Sequence, residues 1–187
     1  MRKFTQALVL SASLAAAFAT AQTASAADVM VGGQSMMASK DIIDNAVNSA
    51  DHTTLVAAVK AAGLVDTLKG KGPFTVFAPT NAAFGKLPAG TVDSLVKPES
   101  KAALTKILTY HVVPGKYDFK ALEHEIKKDG GKAHLTTASG GKLTFMMNGM
   151  HNITVMDEAG GTANISTYDV YQSNGVINVV DSVLMPK

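Results

Sequence analysis

The chain has no cysteine. A cysteine-free exported domain is held together by its core and not by disulfides. It also offers no thiol for lipid attachment at an amino-terminal cysteine. Long hydrophobic runs are missing as well. The apolar segment from Ala7 to Ala19 is too short to span a bilayer comfortably. The chain ends at Lys187 without an apolar tail, so no membrane or wall anchor is expected. The basic excess is confined to the beginning. Arg2 and Lys3 are the only charges in residues 1–26, and taking these two from the 17 basic residues leaves 15 against 15 acidic ones. A neutral chain without a Lys/Arg cluster argues against nucleic acid as a partner. No serine sits in a G-x-S-x-G elbow and no phosphate loop occurs. His52, His124 and His134 show no H-x-x-H or H-E-x-x-H spacing, so a zinc site is unsupported. With no nucleophile in a local signature, neither catalysis nor a cofactor is expected.

At 187 residues and 47% hydrophobic content, one domain with a real core is expected. It does not begin at Met1. The positive start, the short apolar run and the small-residue pattern Ala24-Ser25-Ala26 describe a secretory signal peptide over residues 1–26, cut near Ala26. The product is then periplasmic or extracellular. Residues 27–38 are small, Gly- and Met-containing and unpatterned, and they read as a flexible leader. The domain proper occupies residues 39–187.

Its anchor is the stretch Gly72–Phe84, GPFTVFAPTNAAF. Phe74, Val76 and Ala78 alternate with Thr75 and Phe77, the pattern of a buried strand. Pro79 cannot donate to a sheet ladder and stops it. Thr80 then caps a helical turn. Burial of Phe74, Phe77 and Phe84 contributes roughly 1.5–3 kcal/mol each. Upstream, a helix runs from Ser39 or Asp41 through Ile42, Ile43, Ala46 and Val47, and a second follows Asp51 and ends at Gly63. Leu64, Val65 and Leu68 make a further turn. Downstream, Thr91 caps one short helix and another starts near Glu99 and presents Leu104, Ile107 and Leu108. Tyr110 to Val113 reads as a strand stopped by Pro114-Gly115, followed by a helical turn over Tyr117–Glu123. Beyond Gly130 the chain is Thr-, Val- and Gly-rich. Strands are expected near Ala133–Ala138, Leu143–Met147, Asn152–Asp157, Ala163–Tyr168 and Val176–Asp181. Helices early and hairpins late define an α+β domain, with about seven short strands packed in two layers under an amino-terminal helical layer.

FTVFAPTNAAF resembles the first signature block of the fasciclin domain family. ILTYHVVPG at Ile107–Gly115 and SNGVINVVDSVLMP at Ser173–Pro186 match two further blocks in order. The resemblance implies a β-sandwich with helices. It also implies a non-catalytic role in adhesion or interaction at the cell surface, with a surface protein or glycan as partner. It carries the family's adhesion-linked Tyr-His block onto Tyr110 and His111. Read as a strand, that pair points to opposite faces, and its apolar neighbours favour a packing role over direct contact. The adjoining turn Lys116-Tyr117-Asp118-Phe119 is the expected binding surface. One position departs from the pattern: Asn178 stands where the family usually has His, and Asn cannot become charged near neutral pH.

A rival reading is a binder of a small apolar ligand or a metal. Its ligand cavity would be lined by Leu143, Met147 and the anchor phenylalanines. Met146, Met147, Met150 and His151 carry soft donors suited to copper(I) around an Asn148-Gly149 turn, although methionine more often fills irregular cores.

Overall fold

The computed structural model describes residues 29–187. The signal-peptide reading of residues 1–26 lies outside them. Residues 29–36 are not a loose leader. They form a hairpin of β1 (Val29–Val31) and β2 (Gln34–Met36), turned by Gly32-Gly33. Val31 and Met36 point inward and join the core at 8% and 4% exposure. Burying these two apolar side chains is what holds the segment down.

The helical layer follows. Asp41 caps α1 (Ile42–Ala46) by accepting from the Asp44 amide at 2.8 Å. Asp51 does not cap the next helix. It lies in a 3-10 turn, Ala50–His52, that leads into α2 (Thr53–Ala62). Gly63 ends α2 in the left-handed conformation that glycine adopts without penalty. After α3 (Val65–Leu68) comes β3 (Phe74–Pro79), of which every residue but Phe74 is buried. Thr80 accepts from the Ala83 amide at 3.2 Å and starts α4 (Asn81–Gly85). Gly90, not Thr91, precedes α5 (Thr91–Leu95). Then α6 (Lys101–Tyr110) runs directly into β4 (Val112–Pro114). Asp118 caps α7 (Phe119–Lys128), a helix longer than the turn expected there. Its Leu122 and Ile126, one turn apart, are buried.

The remaining strands are β5 (Lys132–Thr136), β6 (Lys142–Met147), β7 (Ile153–Met156), β8 (Thr162–Gln172) and β9 (Gly175–Val180). Seven strands are hydrogen-bonded in the order β4-β3-β9-β8-β7-β6-β5. All pairs are antiparallel except β3 with β9, which run parallel from Phe74↔Gly175 to Pro79↔Val180. The long strand β8 belongs to both halves of this sheet. Its register slips between Ile165 and Val170, and Asp169 has φ 59°. Such irregularities bend a strand and sharpen its twist, and here they let the two halves face each other as layers. The Ala138 amide reaches the Val112 carbonyl at 2.7 Å, which nearly closes the sheet.

Two cores result. Between the helices and the sheet lie Ile42, Leu55, Val59, Val76, Ala78, Leu104, Leu108 and Ile177. Between the layers, covered by α7, lie Phe77, Tyr110, Leu122, Leu143, Phe145, Val155 and Leu184. Successive residues of β3 therefore serve opposite cores, the period-2 rule with both faces buried. The Phe77 and Phe145 rings meet at 5.1 Å across the interior.

Candidate functional site

Tyr110 and His111 are not on a strand. Tyr110 is the last residue of α6 and His111 its C-cap, so the opposite-faces argument does not apply. Leu104, Ile107, Leu108 and His111 fall at helical spacing, and the apolar stripe continues through the histidine. Both side chains are enclosed, at 0% and 2% exposure. The Tyr110 hydroxyl donates to the Lys142 carbonyl at 2.7 Å and accepts from the Glu158 amide at 3.0 Å. Burial, with help from the nearby Glu158 and Asp157 charges, pushes its pKa up to about 12. His111 Nε2 accepts from the Leu184 amide at 2.9 Å, so Nδ1 carries the proton and donates to the Ile107 carbonyl at 2.8 Å. Burial holds this imidazole down to about 4, well below its usual 6.5. Every polar atom of the pair is used inside the domain. The two residues tie the end of α6 to β6 and to the carboxy-terminal segment.

The turn at Lys116–Phe119 is different. It is at the surface, yet it is held from three strands. Thr75 Oγ1 on β3 donates to the Gly115 carbonyl and accepts from the Tyr117 amide, both at 2.8 Å. Asn178 on β9 is fully buried. It donates to the Tyr117 carbonyl and accepts from the Asp169 amide, both at 3.2 Å. Asp169 on β8 accepts from the Phe119 amide at 2.7 Å. Burial raises the Asp169 carboxyl above its ordinary range. Asp118 accepts from the Ala121 amide at 2.9 Å and from the Tyr171 hydroxyl at 3.2 Å. The Tyr171 phenol is pushed up to about 12 by burial, then by the Asp169 and Asp118 charges, and remains a donor. Tyr117 is half-buried and Asp118 serves as a cap, whereas Lys116 is exposed, its ammonium 4.7 Å from the centre of the Tyr171 ring. The strained backbone of Asp169 sits at the centre of this network, as strained residues at functional sites often do.

Lys116 also forms one wall of an open cleft of about 550 Å³ at the start of the β3–β9 pair. The other walls come from Asp41, from Lys69 to Pro73 and from Gln172 to Gly175. Four separate stretches of chain contribute, so no local pattern in the sequence announces the cleft.

The expected apolar cavity is not found where the sequence placed it. Leu143 and Phe145 are fully buried and pack with Phe77 between the layers. Among the described residues, one small apolar crevice lies among Ile43, Val59, Leu68, Phe77 and Leu108 and holds about 40 Å³, and another, among Val31, Met36, Leu55 and Ile177, about 30 Å³. Small-molecule sites span roughly 300–1,000 Å³. Of the candidate copper ligands, Met146 and Met147 are half-buried, Met147 against the inter-layer core, while Met150 is 82% exposed and His151 is exposed beside it. Elsewhere, His52 Nδ1 meets Ser49 Oγ at 2.8 Å, and burial lowers its pKa.

Known proteins share this architecture. Protein sll1483 of Synechocystis sp. is 45% identical over 146 residues, which cover 78% of this chain and 73% of that protein. Immunogenic protein MPB70 of Mycobacterium bovis is 37% identical over 146 residues, 75% of this chain and 66% of that one. Cell surface glycolipoprotein MPB83 of the same species is 36% identical over 160 residues, covering 83% and 64%. Among solved structures, a FAS1 domain pair from the insect cell adhesion molecule fasciclin I superposes with a TM-score of 0.68. The match covers 78% of this chain and about half (51%) of that one at 19% identity, a likeness of fold. The Fasciclin domain family matches residues 50–186, which hold the inter-layer core, most of the helix–sheet core, the Tyr-His pair and the tethered turn, and the chain belongs to that family.

Proposed function

We propose that the chain is a secreted, non-catalytic binding module of the cell envelope or its surroundings. It engages a surface protein or glycan through the face that carries Lys116, Tyr117 and Asp118. One observation carries this reading: the turn is exposed but held by side chains from β3, β8 and β9. A surface segment ordered before it meets a partner loses little entropy on binding, so its contacts count in full. The Tyr-His pair stays in the interior, where it fixes the end of α6 that leads through β4 to the turn. The mycobacterial relatives are named as an immunogenic protein and a cell surface glycolipoprotein, and the solved structure comes from a cell adhesion molecule. These names support a surface role.

The test is capture of envelope material on the immobilised protein. Wild type is expected to retain one or more surface components that a Lys116→Glu variant of unchanged melting temperature loses. Equal retention by both, or none by either, sinks the proposal. Tyr117 and Asp118 are poor first targets because both are built into the turn.

A further inference from the structure

We propose that the cleft beside this turn binds a carboxylate-bearing oligosaccharide, with Lys71 and Lys116 as its cationic partners. The inference rests on the binding-module reading and narrows it to one ligand class.

Three lysines line the cleft against a single carboxylate, Asp41. Asp41 is already committed: one oxygen caps α1 and the other pairs with Lys69 at 3.2 Å, while Lys69 also bonds Asp44. Lys71 and Lys116 form no ion pair among the described residues. The acids beside Lys116, Asp118 and Asp169, are bonded to Ala121 and Tyr171 and to the Phe119 amide, and neither lines the cleft. Two exposed ammonium groups thus face an open concavity in a chain whose net charge beyond residue 26 is zero. Such a cleft attracts an anion.

The walls are rigid. The Asn174 side chain accepts from the Ile42 amide at 3.1 Å and donates to the Leu68 and Gly70 carbonyls at 2.7 and 3.1 Å. A Cβ on Gly72 would stand 1.9 Å from the Asn174 carbonyl oxygen, and one on Gly175 would stand 2.0 Å from that of Phe74. Only glycine lets these backbones meet. The exposed Ser173 hydroxyl and the Pro73 ring, both lining the cleft, offer what a sugar ring uses: a hydrogen bond at its rim and flat apolar contact over a face.

Other anions fit less well. Inorganic phosphate would meet the same two ammonium groups but would leave the flat Pro73 ring without a partner. Nucleic acid needs many phosphate contacts, and only two lysines are available. An extended acidic peptide would need a free strand edge. Here the strand ends are already paired, Phe74 amide to Asn174 carbonyl and Gly115 amide to Pro73 carbonyl.

The experiment is titration calorimetry of the secreted protein at pH 7 and low salt, with tetragalacturonate as probe. A neutral galactose tetramer, tetraglutamate and inorganic phosphate are the comparisons. Tetragalacturonate is expected to bind, to weaken as sodium chloride is added, and to bind at least tenfold better than the other three. The double variant Lys71→Gln/Lys116→Gln, with melting temperature unchanged, is expected to bind it about tenfold more weakly. No binding of tetragalacturonate overturns the proposal. So does equal binding of the neutral sugar, of tetraglutamate or of phosphate, or an undiminished affinity in the double variant. Absence of uronate binding with envelope capture intact removes the cleft assignment alone. Absence of both removes the binding-module reading as well.

Discussion

Replacing His111 tests most directly how the Tyr-His pair works. Its imidazole bridges the Ile107 carbonyl and the Leu184 amide inside the domain. His111→Ala leaves a buried donor and a buried acceptor without partners, at about 1–3 kcal/mol each, and opens a cavity besides. A total near 3–5 kcal/mol is expected at pH 7.5, about 10 °C in melting temperature for a domain of this size. The pH dependence gives a second, independent signature. The folded-state pKa is about 4 against 6.5 for an unperturbed imidazole, because burial disfavours the cation. Between these values the unfolded chain binds more protons than the native one, so unfolding becomes easier as pH falls. The stability is intact above about 6.5 and is lost progressively down to about 4, by about 3 kcal/mol in all.

The assay is urea unfolding of wild type and His111→Ala at closely spaced pH values from 7.5 to 4. Other groups titrate in that window. Buried His52 acts in the same direction as His111, and Asp169, raised by burial, acts in the opposite one. The difference between the two proteins isolates His111. It is expected to be largest at pH 7.5 and to shrink toward pH 4. A variant within 1 kcal/mol of wild type at pH 7.5, or a difference that does not change with pH, refutes the clamp. A folded variant that fails to attach would then assign His111 to direct contact.

Phe77→Ala removes a ring with 0% exposure that meets Phe145; a loss of about 3–5 kcal/mol is expected in the same unfolding assay. Tyr110→Phe keeps the ring and orphans the Glu158 amide and the Lys142 carbonyl; chemical denaturation is expected to show a loss of about 1–3 kcal/mol. Thr75→Val keeps the shape of a fully buried residue but deletes the bridge from Gly115 to Tyr117. Hydrogen exchange at the Tyr117 amide is expected to accelerate while Phe77 and Val76 stay protected, and unchanged exchange would show that the turn does not depend on this tether.

Much of the fold could be read from local chemistry. Phe74–Ala78 could be placed because alternation with both faces apolar and a terminal proline leaves one interpretation, a buried strand. Thr80 and Gly63 fell where the chemistry of helix ends puts them. The late strands were legible from alternation and glycine turns, with ends off by one or two residues, and β8 runs four residues beyond its expected end because a bulged strand hides its period. Two signals were present and unused. Gly32-Gly33 between Val31 and Gln34 is a hairpin turn, and the spacing 104, 107, 108, 111 is helical. The run of β-branched and aromatic residues from Tyr110 to Val113 concealed the second. The cleft had no signal to use. It is made where residues about 41, 70, 116 and 174 converge, brought together by the parallel β3–β9 pair, the antiparallel β3–β4 pair and the bond from the Ile42 amide to Asn174. Asn178 was legible as a departure from the family pattern but not as a tether, since its partners Tyr117 and Asp169 are distant in the chain.

The arrangement has a consequence for how binding defects should be interpreted. The tethers of the exposed turn come from β3, β8 and β9, and neighbouring residues of the same strands build both cores. Thr75 and Asn178 lie between core residues, and Asp169 precedes the buried Val170. The position that the family usually fills with His is occupied here by Asn178, which donates to one partner and accepts from another while remaining neutral. This tether therefore survives acidification that would charge a histidine, and the turn is expected to stay ordered until the His111 clamp itself weakens. If the chain is a binding module, a change at Tyr110, His111, Thr75 or Asn178 is expected to weaken attachment by loosening the scaffold, whatever the partner is. Only side chains that leave the scaffold untouched, Lys71 and Lys116 foremost, can report on contact. A lost attachment at these two positions with stability preserved, set beside a lost attachment at His111 with stability lost in proportion, separates the surface from the frame that holds it.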